Sequence, residues 1–215
     1  MIIIAHRGAS GYKQENTLAA FEEAARLGAN YFETDVQQSK DGKLIVYHDY
    51  ALKNGRAIKD STFAELAAQN IPTLLQVLQT LGPKNHLNIE IKNDANLYPN
   101  IEEEIAALLN TLPAKQKEKI LISSFDLPTL QRYRNIDKKI KIGVLTRNFN
   151  LREALDLGAF SVNLSVKIIS PQIVEICHKN NLKVFVYTVN DKEKALALKN
   201  MGVDGIFSDY PDILK

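Results

Sequence analysis

Short runs of apolar, mostly β-branched residues recur along the chain, and between them lie stretches whose apolar residues repeat at helical spacing. The runs are MIIIA, NYFETDV, HLNIEIK, EKILISS, KIKIGVL, AFSVNLS, LKVFVYT and VDGIF, and the stretches between them include TLAAFEEAARLG, NIEEEIAALLNTL and DKEKALALKNMG. Strand alternating with helix predicts a parallel sheet, and a count of eight runs predicts closure into a (β/α)8 TIM barrel rather than a doubly wound open sheet. Glycines in RLGAN, DLGAF and NMGVD stand where a helix must end before the next strand. No linker or low-complexity segment interrupts the pattern, so residues 1–215 are expected to form a single domain.

One segment departs from the alternation. VQQSKDGKLIVYHD carries Asp41-Gly42 between two extended runs, which predicts a β-hairpin extension after the second strand. With a two-residue turn, Lys40 faces Lys43, Val36 faces Tyr47 and Asp35 faces His48, and opposed Cβ atoms lie roughly 5 Å apart. Residues 49–72 then form a short insertion before the next helix.

The polar residues of the strands fall on one side. Glu33 and Asp35 are two apart in ETD, and Glu90 and Lys92 are two apart in NIEIK, so each pair points the same way, into the barrel, while Ile89 and Ile91 point to the helices. In a barrel the C-terminal strand ends form the reactive face. That face also receives His6 and Arg7 from HRG at the end of the first strand and His48 from the hairpin. Three carboxylates gathered without enough cations are costly to bury, and an oxygen-liganded divalent ion, Mg2+ or Ca2+ rather than zinc, relieves them. Glu33, Asp35 and Glu90 are therefore the expected metal ligands. Arg7 and Lys92 are expected to hold a phosphoryl group, which guanidinium grips as a fork and ammonium as a point charge. His6 and His48 are left as acid and base, since imidazole exchanges protons near neutral pH.

Composition narrows the partners. The net charge is only +2 and the lysines are spread along the sequence, so no basic stripe predicts a nucleic-acid partner. The single cysteine, Cys177, can form no internal disulfide and reads as a core residue in a reducing compartment. The residues before His6 resemble neither a leader nor a membrane anchor, so a cytoplasmic location is expected, with a homodimer left open.

HRG with ENT, then ETDV, DGKLIVYHD, EIK, YTVN and GVDGIFSDYP, in that order across nearly the whole chain, resemble the glycerophosphodiester phosphodiesterase family. The resemblance implies a TIM barrel that hydrolyses glycerophosphodiesters to glycerol 3-phosphate and an alcohol with a divalent metal. It also implies His6 and His48 as catalytic residues, Glu33, Asp35 and Glu90 as metal ligands, and Arg7 and Lys92 on the phosphate. Glu15 of ENT becomes a supporting residue behind the site, and Tyr187, where relatives often carry tryptophan, a wall against glycerol. The attacking group implied is a glycerol hydroxyl or a water. The arginine-threonine-threonine run that relatives carry after the His-Asp pair is absent from HDYALKNGRAI, and the insertion that covers substrate is trimmed.

Other readings use the same residues. A short insertion that opens the cleft would suit a lysophospholipase D acting on lysophospholipids. Lys92 could form a Schiff base, but adjacent acids keep its amine protonated. A non-catalytic phosphoester-binding barrel would be expected to lack a histidine or a metal ligand, and none is missing. Away from the site, Asn16 reads as a helix N-cap and Asn190 as the cap of a box with Glu193, while Asp209 reads as the cap of a last helix. His86 and His178 have no matching acid in sequence, and Glu102 to Glu104 read as a solvated helix start.

Overall fold

Period-two patterning decides which side of each strand meets the helices. The computed structural model describes residues 1–215 and contains nine strands: β1 (Ile2–Ala5), β2 (Tyr31–Gln38), β3 (Leu44–Val46), β4 (His86–Ile91), β5 (Ile120–Ser124), β6 (Lys141–Thr146), β7 (Ser161–Ser165), β8 (Lys183–Tyr187) and β9 (Gly205–Ser208). Eight of them pair in parallel in the order β1-β9-β8-β7-β6-β5-β4-β2, and pairing of β1 with β2 closes the barrel. Helices lie between successive barrel strands. This is the (β/α)8 barrel expected, with β3 as the extra strand.

Apolar residues separate into two layers. The larger lies between strands and helices, where Ile89, Ile91, Ile122 and Val184 meet Phe21, Ile105, Tyr133 and Cys177, all buried. The smaller fills the lumen, where Ile4, Leu121, Phe185 and Phe207 cluster. Apolar filling stops at that level, and the inward positions nearer the C-terminal strand ends are Glu33, Asp35, Asn88, Glu90 and Lys92. Gly28, Gly158 and Gly202 all take positive φ just past their helices, as expected.

The hairpin differs from expectation by one residue. Val36 pairs with Val46 and Gln38 with Leu44, and Ser39 N–H donates to Lys43 C=O at 2.9 Å, which leaves a three-residue loop of Lys40, Asp41 and Gly42. Gly42 supplies the left-handed residue, φ +77°, that this turn requires. The insertion selects the longer loop: Phe63 N–H donates to Asp41 Oδ1 at 2.8 Å, and Lys40 N–H donates to Ser61 C=O at 2.9 Å. Lys40 therefore does not face Lys43. Asp35 C=O accepts from Tyr47 N–H at 3.2 Å, so Tyr47, not His48, pairs with Asp35 and His48 lies beyond the ladder. The insertion buries Leu52, Ile58, Leu66 and Ile71 against Ile45 of β3 in a small core of its own.

Candidate active site

The end of β1 turns sharply to build the floor of the site. Arg7 takes φ +57° and Gly8 φ +83°, and a Cβ on Gly8 would stand 2.7 Å from the backbone of Ala20, so the turn packs directly on the first helix. The left-handed Arg7 aims its backbone N–H at Glu33 Oε2, 2.9 Å away. Its side chain reaches both neighbouring acids, with Nε 3.1 Å from Asp35 Oδ2 and Nη1 2.9 Å from Glu15 Oε2. Glu15 thus braces Arg7 from the outer side.

Glu33, Asp35 and Glu90 converge, each offering an oxygen within 4.8 Å of the others. Glu33 is 3% exposed and Asp35 is fully buried. Lys92 Nζ donates to Glu90 Oε1 at 3.2 Å, and Asn16 Nδ2 donates to Asp35 Oδ2 at 2.9 Å. Asp35 Oδ1 is buried with no partner. Burial, then the charge of Asp35, holds Glu33 well above the usual carboxylate range. The same two causes push Glu90 up to about 7 against the pull of Lys92. Lys92 itself is held above its ordinary value, because Glu90 and Asp35 outweigh its burial. Arg7 and Lys92 are thus too few to neutralise the acids. An orphaned carboxylate oxygen among all-oxygen donors fits a hard divalent cation.

Two histidines flank this floor, each oriented by an aspartate. His6 Nδ1 lies 2.6 Å from Asp209 Oδ1, and His48 Nδ1 lies 2.7 Å from Asp49 Oδ1. A carboxylate on Nδ1 keeps a proton on that nitrogen, so Nε2 is the one left to take up or release a proton, and both rings line the cavity. The two aspartates differ in anchoring. Asp209 also accepts from Asn190 Nδ2 at 2.5 Å, and Ser10 Oγ, whose one hydrogen it shares with His6 C=O, lies 2.8 Å from it. Burial raises the Asp209 carboxyl, but its hydrogen bonds and the charge of His6 outweigh that and hold it at about 2. Asp49 is 72% exposed.

Tyr187 closes another wall. Its Oη donates to Thr146 C=O at 3.0 Å, and its ring meets Phe125 edge to face, centroids 5.8 Å apart. His6, Arg7, Glu33, His48, Glu90, Lys92 and Tyr187 all border one cavity of about 250 Å3.

Several expected roles change. Thr17, not Asn16, caps the first helix; Asn16, with φ +56° and 2% exposed, is spent on Asp35 and on Thr34, whose hydroxyl donates to it at 3.0 Å. Asp191, not Asn190, caps the helix Lys192–Met201, because Asn190 is turned to Asp209. No helix follows β9 for Asp209 to cap, and its carboxylate serves His6 instead. His178 has an acid after all, with Nε2 2.8 Å from Asp204 Oδ2, whereas His86 stacks on Tyr31 at 4.2 Å. Glu102 is not solvated: it is 1% exposed and pairs with Arg132 at 2.7 Å. Asp209, Asn190, Phe125 and Arg147 border or support the site without having been expected there. The SDYP and TVN segments were signals for the first two, and nothing local marked the others.

The model of the glycerophosphoryl diester phosphodiesterase family matches residues 6–213. A glycerophosphodiester phosphodiesterase of Caldanaerobacter subterraneus subsp. tengcongensis is 38% identical, over 99% of this chain and 96% of its own. A phosphodiesterase of Oleispira antarctica, solved in complex with the product sn-glycerol-3-phosphate, superposes with a TM-score of 0.88 at 29% identity, covering 99% of this chain and 94% of its own. A glycerophosphodiester phosphodiesterase of Thermotoga maritima gives a TM-score of 0.83 at 29% identity, over 99% and 96%. No helix is long and apolar enough to cross a membrane.

Proposed function

The chain belongs to the glycerophosphoryl diester phosphodiesterase family, and from that premise we propose that it hydrolyses glycerophosphodiesters to sn-glycerol 3-phosphate and an alcohol. The observation that carries this reading is the convergence, in one cavity, of two aspartate-oriented histidines on a floor of three carboxylates short of positive charge.

Glu33, Asp35 and Glu90 would hold a divalent cation, Mg2+ or Ca2+. When bound, that ion supplies charge neutralisation and polarisation of a phosphoryl oxygen. Arg7 and Lys92, on either side of the acids, orient the phosphodiester, and the Tyr187 ring packs against the glycerol carbons. The nucleophile is a water, which gives glycerol 3-phosphate directly, or the neighbouring glycerol hydroxyl, which gives a cyclic phosphodiester that a water then opens. One histidine takes its proton at Nε2 as the new P–O bond forms, and the other gives a proton to the leaving alcohol oxygen as the old P–O bond breaks. Asp209 and Asp49 stabilise the imidazolium, which the first transfer creates on one histidine and the second consumes on the other.

The test is release of glycerol 3-phosphate from glycerophosphocholine and glycerophosphoethanolamine by metal-stripped protein given Mg2+, Ca2+ or EDTA. Release that needs a divalent ion is the expected result, and no release under any of these conditions would overturn the reading. Lys92→Met is expected to raise KM by about tenfold, the scale of one charge-assisted hydrogen bond to phosphate, with a smaller change in kcat. Unchanged steady-state constants would mean that the phosphate does not meet Lys92.

A further inference from the structure

Three cations border the cavity, and they are not equivalent. Arg7 is tied to Asp35 and Glu15, and Lys92 to Glu90. Arg147, in the loop after β6, is exposed and pairs with no carboxylate and no carbonyl, although it too borders the cavity. Its position is nonetheless fixed. The guanidinium carbon lies 4.4 Å from the centroid of the Phe125 ring, a cation–π contact, and Phe125 abuts Tyr187, which is bonded to Thr146 C=O. A cation–π contact of this kind holds the guanidinium over the ring while its N–H donors stay unpaired within the protein, an arrangement suited to a planar anion.

The phosphate is already provided for by the buried pair at the floor, so Arg147 at the mouth meets a different part of the molecule. We infer that Arg147, held on Phe125, recognises an anionic group on the leaving alcohol, so that the preferred substrates are glycerophosphodiesters whose head group bears a carboxylate. This deepens the function proposed above and rests on it. Asp94 borders the same cavity from the segment after β4, and on this inference it would meet the ammonium of an amino-alcohol head group. A head group carrying both charges engages both residues.

Glycerophosphoserine and glycerophosphoethanolamine isolate the point, because they differ only by a carboxylate. The experiment measures kcat/KM for both esters with the wild-type protein, Arg147→Met and Arg147→Lys. The wild-type protein is expected to favour the serine ester by about tenfold, the scale of one solvent-screened charge-assisted pair. Arg147→Met should bring the ratio close to one, and Arg147→Lys, which keeps the charge without the fork, should leave it intermediate. Cleavage of both esters with a ratio that Arg147→Met does not change would leave the reaction standing and overturn the head-group assignment. A proportional loss on both esters would place Arg147 on the phosphate and overturn it equally. Cleavage of neither ester by the wild-type protein would overturn the reaction and this inference together.

Discussion

His6→Ala is expected to lower kcat for glycerophosphocholine by about three orders of magnitude while the protein stays folded, within the range that a general acid or base contributes. The fold should survive because the structural work at this position is done by backbone: His6 N–H donates to Ser208 C=O at 3.0 Å, and Ser10 Oγ donates to His6 C=O at 2.7 Å. Neither bond needs the imidazole. Asp209→Asn provides a graded companion. It keeps the shape and loses the charge that fixes the His6 tautomer, so a loss of about a hundredfold is expected. Asp49→Asn should cost less, about tenfold or below, since an aspartate 72% exposed is screened by water and orients His48 weakly. Circular dichroism and glycerol 3-phosphate release check all three. A His6→Ala rate within threefold of wild type would remove His6 from the chemistry, and equal losses in the two aspartate variants would contradict the asymmetry of their surroundings.

The residues legible in the sequence share one property: their placement follows from the period of the strand that carries them. Glu33 with Asp35, and Glu90 with Lys92, had to share a face once the strands were recognised, and the barrel's polarity placed that face at the C-terminal end. Partnerships between distant segments left no such trace. His6 and Asp209 are 203 residues apart, and what brings them together is the parallel pairing of the first strand, β1, with the last, β9. The hairpin register was lost for a related reason. Asp-Gly permits both two- and three-residue loops, and the choice rests on Asp41 accepting from Phe63, 22 residues away. Asn16 and Asn190 both stand beside better caps, Thr17 and Asp191, and that neighbour frees each asparagine for a carboxylate of the site. Local propensity alone would assign all four to capping.

The acid cluster makes opposite predictions for the protein with and without a divalent ion. Burial and Asp35 hold the Glu33 and Glu90 carboxyls above their ordinary values, Glu90 at about 7. A carboxyl raised in this way binds protons more tightly folded than unfolded. Metal-free protein must therefore lose stability as pH rises from the ordinary carboxylate range, near 4.5, through about 7. An added divalent ion needs the ionised form, so its affinity climbs over the same interval. The melting temperature in Mg2+ minus that in EDTA is thus expected to widen between pH 5 and pH 8. Glu33→Gln sharpens the contrast. Glu33 accepts only the Arg7 backbone N–H, a bond that the glutamine oxygen can keep, so the substitution removes a repelling charge without orphaning a cation. Stripped Glu33→Gln protein is expected to be more stable than stripped wild type at pH 8 by about 1–2 kcal/mol, or roughly 2–8 °C, while its response to Mg2+ shrinks. A structural ion-pair network requires the reverse, with Glu33→Gln destabilising the stripped protein and Mg2+ acting equally on both. That pattern would show that Arg7 and Lys92 suffice for the acids, and the divalent ion would have no place on this floor.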